Sequence, residues 1–164
     1  VGLMGVLSKS VLESGGNVIG VEPNFFIEAG VAQHELTELI VVKTMNERKA
    51  KMIELGDVFV ALPGGVGTLE EISEIMVRVR LNLTPAPCFF LNVDGFYEPL
   101  KALIQEMVDK GFMPGFAWDD YLFPTSVDEL TSLIQALPEQ RCASTEDEWD
   151  EPVWVSSEEA FYFG

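Results

Sequence analysis

Apolar runs of strand length alternate along the chain with helical patterns, and this alternation restricts the fold more than any other feature. The strand-like runs, rich in Val, Ile and Phe, are Asn17–Val21, Leu39–Val42, Asp57–Leu62 and Cys88–Asn92. The helical patterns cover Met4–Ser14, Met45–Leu55, Thr68–Leu81, Phe96–Lys110 and Val127–Leu137, with Gly15-Gly16 and Gly111 as stops. Continuous apolar strands between helices predict an α/β fold, a doubly wound parallel sheet with helices on both faces. Ligands of such sheets bind beyond the carboxyl ends of the strands.

Composition limits the partners that the chain can have. The 164 residues suit one domain, predicted over residues 1–138, and carry a formal net charge of −17. Residues 139–164 hold eight acids and one base, Arg141, and are predicted to be a solvated acidic tail. The charge argues against nucleic acid and anionic membranes as partners. Without a signal peptide, a membrane-length apolar run or a cysteine framework, the chain is predicted to be cytoplasmic.

A glycine-rich loop, Pro63-Gly64-Gly65-Val66-Gly67-Thr68, lies between the predicted strand ending at Leu62 and an amphipathic helix. Glycines permit close approach of the backbone to a ligand, and a helix N-terminus suits a phosphate. The loop lacks the lysine of a Walker A motif, and Glu70 stands where a dinucleotide fingerprint has its third glycine. The predicted ligand is therefore a simpler phosphate than ATP or NAD; the alternative is a tight turn without a ligand.

Three residues at the end of this loop or directly after it have two interpretations each. Thr68 either caps the helix or hydrogen-bonds the phosphate. Glu70 and Glu71 either complement the helix dipole or place a carboxylate beside a sugar or a reacting bond.

A basic cluster follows the strand Leu39–Val42. Lys43, Arg48, Lys49 and Lys51 are four of the ten basic residues of the chain and fall within nine positions. Thr44 and Glu47 match a capping box, so Glu47 is interpreted as structural. Arg48 lies in the first turns of a helix, where a cation opposes the dipole. We therefore favour anion recognition by Arg48 over a merely solvated helix face.

These motifs together resemble the LONELY GUY (LOG) family of phosphoribohydrolases, often labelled "lysine decarboxylase". The family carries P-G-G-x-G-T-x-x-E after a strand, here Pro63–Glu71, and an M-x-x-R-K helix start, here Met45–Lys49. Further similarity, over about residues 2–137, lies in Gly2–Gly5, His34–Leu39 and Leu91–Tyr97. The family usually has a strand and glycine-rich segments before the part that matches Gly2–Gly5, so we expect a piece upstream of this chain.

The resemblance implies a Rossmann-like homodimer that hydrolyses a nucleoside 5′-monophosphate to a free base and ribose 5-phosphate. The implied substrate is a cytokinin riboside monophosphate or an AMP-like nucleotide, and no cofactor is expected. By position, the catalytic residues would be Arg48 and Glu71. The substrate-binding residues would be Lys49, Gly64, Gly65, Gly67, Thr68 and Glu70. The alternative is a non-catalytic nucleotide-binding or carrier module.

Several positions depart from the family pattern or have no predicted role in the site. Asn46 replaces a frequent His, Gly30 stands where many members have a Glu, and Arg78–Pro87 differs from the usual W-x-Q-L-G-x-H-x-K-P. The base end of the site is thus less well predicted than the phosphate end. The single histidine, His34, is interpreted as structural, and no metal site is predicted. Phe25-Phe26 and Phe89-Phe90 are predicted to be core, and Asp94-Gly95 a turn.

Overall fold

The computed structural model describes residues 2–30, 35–81, 83–84, 86–113 and 121–137. In chain order, the first half holds α1 (Leu3–Glu13), β1 (Ile19–Pro23), α2 (Asn24–Glu28), β2 (Glu38–Val42), α3 (Met45–Leu55) and β3 (Phe59–Ala61). The second half holds α4 (Val66–Arg80), β4 (Cys88–Phe90), a 3₁₀ turn (Val93–Gly95), α5 (Glu98–Asp109), β5 (Tyr121–Leu122) and α6 (Val127–Gln135). His34 and the predicted acidic tail lie outside the described residues.

All the strand pairs in this part of the chain are parallel. β1 pairs with β2, with Ile19 opposite Glu38, and β4 pairs with both β3 and β5, with Cys88 between Phe59 and Tyr121. The α/β class of Rossmann-like type is therefore confirmed. The described strands form two sheets, β1-β2 and β3-β4-β5, and not one continuous ladder. Helix α3 packs against β1 and β2, whereas α4 packs against β3 and β4.

The core is centred on β4, the middle strand of its sheet. Phe89 and Phe90 are fully buried on opposite faces of this strand, which confirms their predicted place. Phe90 stacks on Phe123, with ring centroids 4.8 Å apart, and Phe89 packs against Leu130 of α6. The prediction for Phe25 is wrong. Its short helix α2 leaves the ring 46% exposed, in edge-to-face contact with Phe26.

Two predicted helix stops are confirmed by their geometry. Gly15 and Gly111 have φ of 80° and 77°, the left-handed conformation that glycine adopts without strain. After α1, the Gly16 N–H donates to the Val11 carbonyl at 2.9 Å; after α5, the Phe112 N–H donates to the Met107 carbonyl at 2.8 Å. Both helices thus end in Schellman motifs, which satisfy carbonyls of the last turn.

Three features differ from the sequence predictions. The short elements α2 and β5 were not predicted, because five and two residues are too few to show a period. Helix α4 begins at Val66, two residues before the predicted start, so Thr68 is inside the helix and is not its N-cap.

The Asp94-Gly95 turn is confirmed, with both residues at positive φ. Within the described ranges, no helix has the length and apolarity needed to cross a membrane.

Cys88 gives a test of the core. Its side chain is fully buried in β4, and burial raises the pKa of its thiol to about 12. Because only the thiolate reacts with disulfide reagents, we expect native Cys88 to react only through unfolding. In a Cys142→Ser variant, dithionitrobenzoate at pH 8 should label no thiol until denaturant is added. Labelling within minutes in buffer would contradict this packing.

Candidate active site

The glycine loop follows the carboxyl end of β3, as predicted, and leaves the N-terminus of α4 open. Gly65 is the N-cap and offers no side chain, and the first helical hydrogen bond runs from the Leu69 N–H to the Gly65 carbonyl at 3.1 Å. The N–H groups of Val66, Gly67 and Thr68 therefore have no partner within the helix. Their alignment gives this end a partial positive charge, which is suited to an anion.

The three glycines of the loop differ in what surrounds them. A Cβ atom at Gly64 would collide with the side chain of Thr68, so glycine is required there by the fold itself. A Cβ atom at Gly65 or Gly67 would meet nothing within 4 Å, and neither residue has a positive φ. Neither packing nor backbone strain therefore explains glycine at these two positions. The space above them is free for a ligand.

Arg48 of α3 is buried, with 8% of its surface exposed, and contacts two other elements. Its Nε donates to the Val21 carbonyl of β1 at 2.9 Å, and its Nη1 forms an ion pair with Glu71 of α4. The Glu71 side chain is 31% exposed. The two residues predicted to be catalytic are thus brought together, 23 residues apart in sequence.

A second set of ion pairs joins the same two helices closer to solvent. Lys49 pairs with Glu70, and its Nζ lies 3.1 Å from Glu74, which also accepts from Arg78 at 2.9 Å. Lys49 and Glu70, both predicted to bind substrate, therefore bind each other in this structure. Burial opposes ionisation of Glu74, but hydrogen bonds from Arg78 and Lys49 prevail and lower the pKa of its carboxyl. Hydrogen bonds that Lys49 donates to Glu70 and Glu74 raise the pKa of its ammonium group.

The start of α3 confirms the structural interpretation of Glu47. The hydroxyl of Thr44, the N-cap, accepts from the Glu47 N–H at 3.1 Å, and the Glu47 carboxylate accepts from the Lys43 N–H at 2.8 Å. This is a variant of the capping box, with the carboxylate one residue further back. The start of α3 is therefore capped by one of its own side chains, in contrast to that of α4.

Two cavities adjoin the glycine loop. A cavity of about 110 Å³ between α3, β3 and α4 is bordered by Thr68 and Glu71 and is otherwise mostly apolar. A groove of about 450 Å³ between α4 and α5 is bordered by Gly64 and Gly65 and by apolar side chains such as Leu69 and Leu103. Ligand pockets usually measure roughly 300–1,000 Å³, so the first cavity can hold only part of a nucleotide.

The sequence interpretation missed a set of residues behind the loop. The Tyr97 hydroxyl donates to the Leu62 carbonyl at 2.6 Å, and the Tyr97 N–H donates to Asn92 Oδ1 at 2.7 Å. Asn92 and Tyr97 both belong to the Leu91–Tyr97 motif, but the sequence gives no signal for a contact between positions 62 and 97.

In the part of the chain that the structure describes, no three His, Cys, Asp or Glu residues are grouped to hold a metal ion.

The α/β fold, the glycine loop with its open helix N-terminus and the paired Arg48 and Glu71 are the features of a Rossmann-like protein. Residues 4–136 match the family described as "possible lysine decarboxylase". The chain belongs to this family, the LOG family that the motifs indicated.

Curated relatives carry names that concern one reaction. A cytokinin riboside 5′-monophosphate phosphoribohydrolase of Rhodococcoides fascians is 49% identical over 114 residues, 69% of this chain and 58% of the relative. One of Arabidopsis thaliana is 35% identical over 161 residues, 98% of this chain and 74% of the relative. One of Oryza sativa subsp. japonica is 42% identical over 113 residues, 69% of this chain and 47% of the relative. The chain thus spans about half to three quarters of these relatives.

The Glu74 pairs give a pH-dependent prediction. Because the folded-state pKa of Glu74 lies below its usual 4.5, the pairs stabilise the fold above pH 4.5, and this contribution is lost as the pH falls through the lowered pKa. Glu74→Gln should lower the free energy of unfolding by about 1 kcal/mol or less at pH 7. The difference from wild type should shrink as the pH falls below 4.5.

Urea unfolding between pH 3 and pH 7 measures this difference. The control, Glu106→Gln, removes an exposed pair with Lys110 on one helix and should have little effect at any pH. A deficit of Glu74→Gln that stays constant over the whole range would contradict the assignment.

Proposed function

We propose that this chain carries the phosphate and ribose end of a site that hydrolyses the N-glycosidic bond of a nucleoside 5′-monophosphate. The products would be a free base and ribose 5-phosphate. One observation carries the proposal: the Arg48–Glu71 pair lies about one helical turn from the open N-terminus of α4. The names of the relatives, which specify cytokinin riboside 5′-monophosphate, support this substrate class. An AMP-like nucleotide fits the same chemistry.

The 5′-phosphate would bind on the glycine loop. Its oxygens would accept hydrogen bonds from the free N–H groups of Val66, Gly67 and Thr68, aided by the Thr68 hydroxyl. Open space over Gly65 and Gly67 lets a phosphate contact the backbone directly. This arrangement needs no metal ion and no lysine in the loop.

Glu71 is proposed as the group that acts at the reacting bond. It follows Gly67 by four residues, about 6 Å along the helix axis, and helical side chains lean towards the N-terminus. This distance, from the loop where the phosphate would bind to Glu71, is comparable to the length of a ribose. Water would add to C1′ as the C1′–N bond breaks, and the base would leave with a proton from that water. The carboxylate of Glu71 would stabilise the oxocarbenium-like transition state.

Arg48 is proposed to orient Glu71 and to present its remaining donors to the nucleotide. Two of its nitrogens already bond to Val21 and Glu71, which fixes the guanidinium plane. Lys49 and Glu70 stay predicted substrate contacts; to act so, each would have to exchange its present ion pair for the ligand. The homodimer and the cytoplasmic location also stay predictions.

The catalytic role of Glu71 can be tested with a near-isosteric variant. Glu71→Gln keeps a hydrogen-bond acceptor for Arg48 but removes the charge, so we expect base release from AMP to fall about a hundredfold or more. AMP binding, measured by calorimetry, should change by less than about threefold. Chromatography of free adenine measures turnover.

Glu54→Gln is the matched control, since Glu54 pairs with Lys51 at the far end of α3 and is exposed. It should leave both quantities unchanged. AMP binding by wild type without base release would favour the non-catalytic nucleotide-binding module. Absence of binding to any nucleoside monophosphate of a panel would refute both functions.

The glycines of the loop predict opposite effects on stability and on binding. Gly67→Ala should raise the free energy of unfolding by up to about 1 kcal/mol, because alanine favours the helix and its Cβ atom meets nothing. It should nevertheless weaken AMP binding about tenfold or more, since the methyl group occupies the approach to the backbone. Gly64→Ala should lower stability, because its Cβ atom collides with Thr68.

Thermal unfolding and calorimetric AMP titration measure the two quantities. Ser73→Ala, at an exposed position of the same helix, is the control that should improve helix propensity without affecting AMP. If Gly67→Ala bound AMP as well as wild type does, the phosphate would not bind at this helix end.

A further inference from the structure

Tyr97 lies behind the glycine loop and contacts the carbonyl of Leu62, the residue directly before it. The ladder between β3 and β4 ends where the Leu91 N–H donates to the Ala61 carbonyl at 2.9 Å. The next carbonyl, that of Leu62, is beyond the ladder and accepts from the Tyr97 hydroxyl at 2.6 Å. This hydroxyl therefore takes the place of the missing strand partner at the point where the chain turns into Pro63-Gly64-Gly65.

The ring that carries this hydroxyl is held rigidly. Tyr97 is 6% exposed, and its ring packs edge-to-face on Phe90 and Phe96, with centroids 5.3 and 5.0 Å away. Burial raises the pKa of the Tyr97 hydroxyl, with a contribution from Cys88, so the hydroxyl keeps its proton and remains a donor.

Asn92 fixes the backbone of Tyr97 in turn. This amide is 3% exposed; its Oδ1 accepts from the Tyr97 N–H at 2.7 Å and its Nδ2 donates to Glu98 at 2.6 Å. The Asn92 N–H donates to the Pro124 carbonyl at 2.7 Å. The position of the Tyr97 hydroxyl is therefore set by the end of β4 and by the chain after β5.

We propose that Tyr97 is a positioning residue for the phosphate site at the N-terminus of α4. Its hydroxyl holds the Leu62 carbonyl so that the glycine loop presents its N–H groups in the geometry that binds phosphate. Tyr97 does not contact the ligand in this proposal. The inference rests on the proposed function for the identity of the ligand. The hydrogen bond from Tyr97 to Leu62 is present without any ligand, so its effect on the loop can be measured separately.

The structure supplies a matched control in Tyr121. The ring of Tyr121 is also in the core, and its hydroxyl donates to the Met76 carbonyl of α4 at 2.9 Å. Met76 is ten residues from the helix start, far from the loop. Tyr97→Phe and Tyr121→Phe thus each delete one hydroxyl that donates to a backbone carbonyl. The first carbonyl directly precedes the glycine loop, whereas the second is in the middle of α4.

The test compares both variants with wild type by amide hydrogen exchange without ligand and by calorimetry with AMP and adenosine. We expect Tyr97→Phe to raise exchange of the Leu69 and Leu91 amides about tenfold, the effect of losing one hydrogen bond, because their bonds to the Gly65 and Ala61 carbonyls lie on either side of Leu62. It should weaken AMP binding to a similar extent and leave adenosine binding unchanged. Tyr121→Phe should change neither, even if it lowers the melting temperature as much.

Each outcome decides one proposal. Equal exchange of the Leu69 and Leu91 amides in the two variants, or equal losses of AMP and adenosine affinity, would overturn the positioning role. Faster exchange of these two amides in Tyr97→Phe alone, with no AMP binding by wild type, would uphold the effect of Tyr97 on the loop and refute the proposed function instead.

Discussion

The buried guanidinium of Arg48 is the interaction on which the candidate site depends. It is the one buried charge among the described residues, and it bonds β1 through the Val21 carbonyl and α4 through Glu71. These elements belong to or pack on different sheets, and no strand pair of the described chain joins the sheets. A buried charge is costly unless it is paired and hydrogen-bonded, so the arrangement of β1, α3 and α4 is coupled to this one side chain.

The glycine loop has contacts on two sides, of different kinds. From behind, neutral hydrogen bonds of Tyr97 and Asn92 act at the edge of the core, one of them buried and the other part-buried, where water competes less than at the surface. From the side, the ion pairs of Lys49 with Glu70 and Glu74 hold α3 against α4 nearer to solvent, where each pair contributes little by itself. We therefore expect the buried bonds to contribute more than these ion pairs to the position of the loop.

Much of the fold was predictable from the sequence because its signals are local. Continuous apolar runs predicted four of the five strands, glycines predicted the ends of α1 and α5, and Thr44 with Glu47 predicted the start of α3. The proximity of Arg48 and Glu71 came from the family resemblance. The partners of Leu62 and Val21 could not be predicted, because backbone carbonyls leave no mark in the sequence. Helix α4 also began earlier than Thr68 suggested, since a glycine N-cap gives no side-chain signal.

The basic cluster carries less net positive charge than its composition suggested. Arg48, Lys49 and Lys51 each form an ion pair with a glutamate, so three of the four cations are locally neutralised in a chain of net charge −17. What remains at the loop is a set of backbone N–H groups whose partial charge falls off within the first turn of α4. If the loop binds phosphate as proposed, it would attract the anion little from a distance and recognise it mainly at contact. It would then favour a ligand that supplies further contacts of its own, which a nucleotide has in its ribose and base and inorganic phosphate lacks.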